Sequence, residues 1–401
     1  MITKRIDELT YADIERLVEQ KVLESRVLDY KRQLPNGTSD EVKELLADVT
    51  SFANASGGHL VFGITTAKVE GKNTSIPESI VGVGAINAEE VENRLDAQLR
   101  SLIQPRIAGL RIRVISEDGK PTVVVIHIPR SWNAPHMVAK GSSKFYSRTS
   151  TGKQPLDVTE IRNAFAMSES VGEKIRAFRD ERIGRILAGE TPVPICNGAL
   201  IVAHCIPIDA FMTNETIDLA SLDEASKKIA LFGNRLGVRR YNLDGILSYS
   251  LSTTPPLAVG FLQVFRNGVT EIFDADLIRP SPFEVNGQPY QCFDVFQLEN
   301  HLIRYFDQVR STLQTLGICS PSLIFISLLN VRGLFSHTIK QYDPIPSPID
   351  REHLMIPDVL MVDPSISAST FLRPVFDLIW QSCGKMGCPY YDANGKRISY
   401  P

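Results

Sequence analysis

The stretch Phe52-Ala53-Asn54-Ala55-Ser56-Gly57-Gly58-His59-Leu60-Val61-Phe62-Gly63 decides how the first part of this chain folds, because three elements meet in it. Upstream, Val42, Leu45, Leu46, Val49, Phe52 and Ala53 recur at helical spacing, so a helix with one apolar face ends near Ala53. Asn54 to Gly58 supply the cap and turn, since glycine enters the left-handed conformation at little cost. Leu60 to Ile64 form an unbroken apolar run, the pattern of a strand buried on both faces.

Working back toward the N-terminus, Thr10 and Asp13 mark a capped helix start, and Ile14, Leu17, Val18 and Val22 give that helix an apolar side. Between the two helices lies Glu24-Ser25-Arg26-Val27-Leu28-Asp29-Tyr30-Lys31, whose second half reads as a strand. Side chains alternate along a strand, so Val27, Asp29 and Lys31 share one face and put a carboxylate beside an ammonium. Glu24 and Asp29, five positions apart across a loop-to-strand transition, are spaced so that two carboxylates converge. Mg²⁺ and Mn²⁺ take oxygen ligands, and a lysine beside them would oppose charge developing on a phosphate. The plainer alternative is a solvated edge-strand pair with Glu24 on the surface.

Toward the C-terminus, Thr65 to Pro77 is polar and reads as a loop. A second amphipathic helix runs from about Glu89 to Gln104 and stops at Pro105. Leu110, Ile112 and Val114 alternate with Arg111 and Arg113, and the strand returns over Thr122 to Ile128 after a hairpin turn at Glu117 to Lys120. A loop carrying Trp132, His136 and Lys140 leads to a short strand, Lys144 to Arg148, and to a helix over Asp157 to Met167. Arg111 and Arg113 on one outward face, with Lys140, Lys144, Tyr146 and Arg148, combine cations with an aromatic ring. That mixture suits phosphate contact and base stacking, so these six are the expected nucleic-acid contacts. His59 and His136 read as structural, and Gly57-Gly58 as a turn, for no G-x-x-x-x-G-K-[ST] phosphate loop occurs.

At 401 residues more than one core is expected. The division drawn from the sequence is a first domain over 1–168, a helical linker over 169–194 that ends in Thr191-Pro192-Val193-Pro194, and a second domain over 195–401. The second domain reads as α/β or α+β. It has apolar strands at Ala199 to Cys205 and Leu323 to Leu329, a hairpin turn at Asn267-Gly268, and a long amphipathic helix from Val295 to Leu316. It carries no chemical motif, and its expected role is that of a sensor, effector or oligomerisation module. A net charge of −3 removes any global attraction to nucleic acid, so such binding would need a local patch. The six cysteines show neither paired C-x-x-C spacing nor a disulfide framework and read as buried thiols. No run of 18 apolar residues and no signal-peptide core is present, which gives a cytoplasmic expectation with no membrane partner.

Glu24-Ser25, the acid-aromatic-lysine triplet Asp29-Tyr30-Lys31, the helix, and Phe52-Ala53-Asn54 followed by Gly57-Gly58, Leu60 and Gly63-Ile64 form an ordered set. Lys144 to Arg148 and Asp157 to Ile161 close it. The set resembles the Schlafen core domain, also called the divergent AlbA-type (AlbA_2) domain, over residues 20 to 166. The resemblance implies an α+β fold with a mixed sheet and packed helices. In catalytic members of that family a three-carboxylate site cleaves RNA, notably transfer RNA. On that pattern Glu24 is the first acid and Asp29 the second, where glutamate is usual. The third acid would fall in Gly63-Ile64-Thr65-Thr66, which has none, and Glu70 is a nearby substitute. The implied activity is endoribonuclease cleavage of tRNA or other structured RNA, dependent on Mg²⁺ or Mn²⁺. Glu24 and Asp29 would be the metal ligands, Lys31 the third catalytic group, and a homodimer or higher homo-oligomer the assembly. In bacterial relatives such an architecture fits stress or phage defense. A non-catalytic DNA- or RNA-binding regulator with the same fold, and an ATP-binding switch, are the alternatives.

Overall fold

The structure is a computed structural model, and it describes the whole chain except residues 1, 3, 5, 70, 71, 140, 142, 150, 151, 213–215, 235, 236, 253, 254, 286, 319, 320, 338–346, 363–365, 393, 394 and 399–401. The chain divides into two units, Met1–Gly172 and Glu173–Pro401.

In the first unit, helix α1 (Tyr11–Glu19) begins where the Asp13 carboxylate accepts the Thr10 backbone N–H at 2.9 Å. Strand β1 (Leu28–Lys31), helix α2 (Ser39–Ala53) and strand β2 (Gly58–Phe62) then form a crossover that lays β1 parallel to β2, with Asp29 opposite Leu60. Helix α2 is the link because its apolar stripe must be buried against the sheet it bridges. Gly57 and Gly58 make the turn before β2 for a steric reason. At Gly57 (φ +69°) a Cβ would lie 2.5 Å from the Arg130 amide nitrogen, and at Gly58 one would lie 2.4 Å from the Val27 carbonyl oxygen. The turn is a backbone junction.

The described residues of 65–77, a stretch expected as a loop, instead belong to two paired strands, β3 (Ile64–Val69) and β4 (Lys72–Ile80). After it come α3 (Ala88–Leu102), β5 (Ile103–Gln104), β6 (Arg111–Ile115), β7 (Val123–Ile128), β8 (Met137–Val138), β9 (Lys144–Thr149) and β10 (Gly152–Pro155). The main sheet has the order β1-β2-β7-β6, and a smaller one the order β10-β9-β8-β5. Strand β2 is central, as its apolar run predicts. Leu60 and Phe62 face the core formed with α2 and α3, and Val61 faces the core formed with α1. The helix expected over 157–167 and the connecting helix beyond it are one element, α4 (Val158–Leu187), 30 residues long.

The second unit is built on an eight-stranded sheet around β11 (Leu200–Pro207). Helix α5 (Leu219–Ser226) precedes β12 (Val238–Tyr241), β13 (Gly245–Leu251), β14 (Ala258–Phe265) and β15 (Thr270–Asp274). Next come β16 (Ser281–Val285), β17 (Gln288–Phe293), α6 (Val295–Thr315), β18 (Ser322–Leu329), β19 (Phe335–Ser336), β20 (His353–Met355) and β21 (Val359–Met361), then α7 (Ala368–Phe371) and α8 (Arg373–Ser382). The order in the large sheet is β12-β13-β14-β15-β11-β18-β20, with β21 also on β18, and β16-β17-β19 form a small sheet. Helix α6 covers one face through Leu298, Leu302, Phe306, Val309 and Leu313. Ile183 and Ile186 of α4 pack on the other. Beside them three charged or polar groups are buried together: Glu271 takes two hydrogen bonds from Arg182, at 2.8 and 2.7 Å, and contacts His204 Nε2 at 2.9 Å. The chain is thus α+β, and among the described residues no helix is long and apolar enough to cross a membrane.

Candidate functional site

Strand β1 is an edge of the main sheet, and its alternation does what the sequence requires. Leu28 and Tyr30 face the α1 core, which leaves Asp29 and Lys31 on the α2 side. There Lys31 Nζ lies 3.3 Å from Asp29 Oδ2 and 3.1 Å from Asp48 Oδ2. Arg148 arrives from β9, with Nη2 at 3.1 Å from Asp29 Oδ1, and its guanidinium lies 4.3 Å from the Phe52 ring centroid. Lys153 of β10 reaches Asp48 Oδ1 at 2.8 Å. Glu44, one turn before Asp48 on α2, lies 3.9 Å from Lys31 and 3.6 Å from Lys153. Glu24 sits before the strand, fixed by the Tyr30 backbone N–H, which donates to its Oε1 at 3.0 Å.

Glu24, Asp29 and Lys31 border a cavity of about 710 Å³ whose opposite wall is the β3–β4 hairpin. Thr65 and Thr66 line that wall, and so does Glu78. Thr65 Oγ1 is tied to Ser79 Oγ at 2.8 Å, so its hydroxyl serves the hairpin. Arg32, Glu44 and Lys68 also line it and are exposed.

The two acids are not equivalent. Burial, reinforced by the neighbouring Asp29 charge, pushes the Glu24 carboxyl up to about 7. Burial acts on Asp29 in the same sense, but Lys31 and Arg148 outweigh it and hold Asp29 below the ordinary carboxylate range. Near neutral pH Glu24 is therefore midway through its titration beside an ionised Asp29. The native state binds the Glu24 proton more strongly than the unfolded chain, so stability falls as pH rises from about 4.5 through about 7. Glu24→Gln is expected to remove this loss. In urea titrations the variant should gain on the parent chain between about pH 6 and pH 8, by on the order of 1–2 kcal/mol. Parallel pH profiles would show that Glu24 ionises as it does in water.

The basic residues expected at a nucleic-acid surface are placed less uniformly. Arg111 and Arg113 do not lie on an open face, because residues 6–19 cover that side of β6. Arg111 Nη1 bonds Asp7 at 2.7 Å, and Arg113 Nη1 donates to the Ile6 carbonyl at 3.0 Å. Arg148 is 6% exposed, with its guanidinium engaged by Asp29 and placed over the Phe52 ring. Lys144 is exposed and Tyr146 half-buried on β9. Lys140 lies outside the described residues, as does Glu70.

Sequence reasoning did not single out Asp48, Glu44, Arg32, Lys68 and Glu78. The acids on α2 had a visible signal, for Glu41, Glu44 and Asp48 recur at i, i+3 and i+7 beside the apolar stripe. His136 is buried, with Nδ1 at 2.6 Å from the Pro105 carbonyl, and burial pushes its pKa down to about 4. His59 and His127 face one another across β2 and β7, with ring nitrogens 3.1 Å apart, and burial pushes both down, to about 3 and about 4. Neutral at physiological pH, all three read as structural.

Comparison with known proteins places a boundary around this region. Residues 24–157 match the family described as Schlafen, AlbA_2, and the C-terminal portion matches no family model. No curated protein matches the chain. Among solved structures, the N-terminal domain of a RecG-related protein from Nitrosomonas europaea is 19% identical at a TM-score of 0.24, covering 31% of this chain and 74% of that one. The DIP2311 protein from Corynebacterium diphtheriae is 10% identical at a TM-score of 0.26, covering 78% of this chain and 65% of that one.

Proposed function

We propose, from the premise that residues 24–157 are a Schlafen, AlbA_2 domain, that the N-terminal unit is a nucleic-acid-processing module, a metal-dependent endoribonuclease acting on tRNA or other structured RNA. One observation carries the reading: two carboxylates, Glu24 and Asp29, border one cavity beside Lys31. Such a pair offers oxygen donors that a divalent cation would relieve of their repulsion. Mg²⁺ and Mn²⁺ suit it, because they are commonly held by one or two carboxylates, with water and substrate phosphate as further ligands. Among the described residues no group of three His, Cys, Asp or Glu side chains forms a cage of protein ligands alone. When bound, the ion would acidify water and neutralise phosphate charge.

The chain's own groups would do the rest. Asp29 stays ionised because Lys31 and Arg148 hold it, and Arg148 acts as a positioning residue. Lys31 supplies positive charge where negative charge grows on the phosphate. Arg32 and Lys68, at the open edge, meet the polymer backbone. Glu24 would have to be ionised to hold the cation, so cleavage should rise through about pH 7.

The test is incubation of the full chain with tRNA and with single-stranded DNA, with and without Mn²⁺, beside Glu24→Ala and Asp29→Ala. Metal-dependent cleavage reduced at least about 100-fold in both variants is expected. Tight binding without cleavage would instead assign a nucleic-acid-binding regulator. One observation favours that second reading: Asp29 already has Lys31 on one oxygen and Arg148 on the other, and Thr65-Thr66 add no carboxylate.

A further inference from the structure

In the second unit one cation sits in a socket that other residues build without it. The Arg397 guanidinium lies 5.8 Å from the ring centroid of Phe296, 5.6 Å from that of Phe376, 5.9 Å from that of Tyr390 and 5.6 Å from that of Tyr391. Its Nη1 donates to Glu299 Oε2 at 2.7 Å, and its Nη2 donates to Asn300 Oδ1 at 3.0 Å. We infer that this socket is an arginine-recognition site, filled by the chain's own segment 391–398, and that it accepts an arginine from another polypeptide when that segment lifts away.

The walls stand independently of the segment. Phe296, Glu299 and Asn300 are spaced three and four apart on α6 and share one of its faces, and Phe376 and Trp380 are four apart on α8. Glu299 is 0% exposed. Its Oε1 accepts from the Trp380 indole N–H at 2.6 Å and from the Cys388 thiol at 3.2 Å, which leaves Oε2 for the guanidinium. Neither Trp380 nor Cys388 belongs to the segment, so the carboxylate is oriented with or without Arg397. A buried carboxylate that loses its cation is strongly unfavourable, and this makes the socket a place for positive charge.

The segment, by contrast, buries little. Its described residues are half-buried or exposed, and Ile398 is 42% exposed. Its backbone bonds close largely on itself: the Asp392 N–H donates to the Lys396 carbonyl at 2.9 Å, and the Gly395 N–H donates to the Asp392 carbonyl at 3.0 Å. Besides Arg397, Tyr391 holds it, with its hydroxyl donating to the Ser369 carbonyl at 2.6 Å and its ring centroid 5.3 Å from the Arg373 guanidinium. Seating therefore rests largely on one side chain, whose bonds a second arginine can replace one for one.

The chemistry names the ligand. Two hydrogen bonds to acceptors on adjacent residues suit the planar fork of a guanidinium, and aromatic rings within about 6 Å favour a delocalised cation. A lysine ammonium can meet Glu299 but lacks the fork. The buried carboxylate excludes phosphate and other anions. The ligand class is an arginine side chain carried on a polypeptide, supplied by a second copy of this chain or by a different protein.

The test is fluorescence anisotropy of the full chain with a labelled peptide of residues 391–398. The peptide is expected to bind Arg397→Ala at least about tenfold more tightly than the parent chain, whose own arginine competes. The same peptide carrying Arg397→Lys should bind about tenfold more weakly. Adding Glu299→Gln to Arg397→Ala, which keeps an acceptor for Trp380, should weaken binding as much. Arg397→Lys in the full chain keeps a cation beside Glu299, guards against loss of the fold, and should bind the peptide with intermediate affinity. Equal affinities for the parent chain and both Arg397 variants, equal affinities for the arginine and lysine peptides, or no binding to either variant would overturn the inference. Sedimentation then assigns the source. A dimer of the parent chain that grows with concentration and is absent in Arg397→Ala gives the arginine to a second copy, and a monomer throughout gives it to a different protein.

Discussion

Replacing Arg148 by methionine is expected to destabilise the N-terminal unit by about 3–5 kcal/mol, although the residue lies at no surface. Its guanidinium is bonded to Asp29 at 3.1 Å, donates from Nε to the Ser25 carbonyl at 3.3 Å and covers the Phe52 ring. Methionine keeps much of the volume and the contact with Phe52 but leaves Asp29, which is 7% exposed, with Lys31 as its remaining direct cation. The loss is pH-dependent with a definite sign. Asp29 ionises below its ordinary range in the parent chain, so its pairing stabilises above that range and fades as pH falls. The deficit of the variant should therefore shrink in acid, where Asp29 takes up a proton. Arg148→Met combined with Asp29→Leu should recover most of the stability, because an apolar pair replaces an ion pair at little net cost. Urea denaturation at two pH values reads all three results. A deficit below about 1 kcal/mol at neutral pH would mean that solvent, not Arg148, balances Asp29.

The second large effect is expected in the other unit. Glu271→Leu should cost about 3–5 kcal/mol, a large share of the 5–15 kcal/mol that holds a typical domain together. Glu271 is fully buried, and the two hydrogen bonds from Arg182 and the contact with His204 outweigh burial and hold its carboxyl down at about 2. Its contribution is present above its ordinary pKa near 4.5 and is lost as pH falls through about 2. Without it, Arg182 is left as a buried charge with no facing carboxylate. Arg182→Met added to Glu271→Leu should restore most of the loss. Thermal unfolding of the single and double variants checks this, and a double variant no better than the single one would sink the account.

The sequence revealed what short range controls. The α2 stripe, the buried run of β2 and the glycine turn between them are local patterns, and the Asp29–Lys31 contact follows from alternation along four residues. The hairpin opposite them was read as a loop for a physical reason: register shifts fall between Thr65 and Thr66 and between Thr66 and Lys68, and bulges break the period of two that a strand otherwise shows. Missing the hairpin hid Glu78 and Lys68. Arg111 and Arg113 alternate correctly, but alternation does not tell which side of a sheet a distant segment covers, and residues 6–19 cover theirs. The pairing of Arg148 with Asp29 was hidden similarly, since nothing near either residue in sequence announces the other. In the second unit, β11 lies between β15 and β18, strands more than 60 and 110 residues away, a pairing that no local pattern records.

The ion pairs around α2 also bear on how a polyanion would respond to its medium. Lys31, Arg148 and Lys153 are matched by Asp29, Asp48 and Glu44, three cations against three carboxylates. Cations neutralised by their own protein do not draw counterions from a phosphate chain. Among the described residues that line the cavity, Arg32 and Lys68, at the open edge, remain to displace them. An arriving strand would then shed roughly one or two condensed ions at this cavity, and its affinity would decline only shallowly with added salt. The fold spends most of its positive charge here on ion pairs that shape the cavity, so bulk attraction would contribute little to what enters.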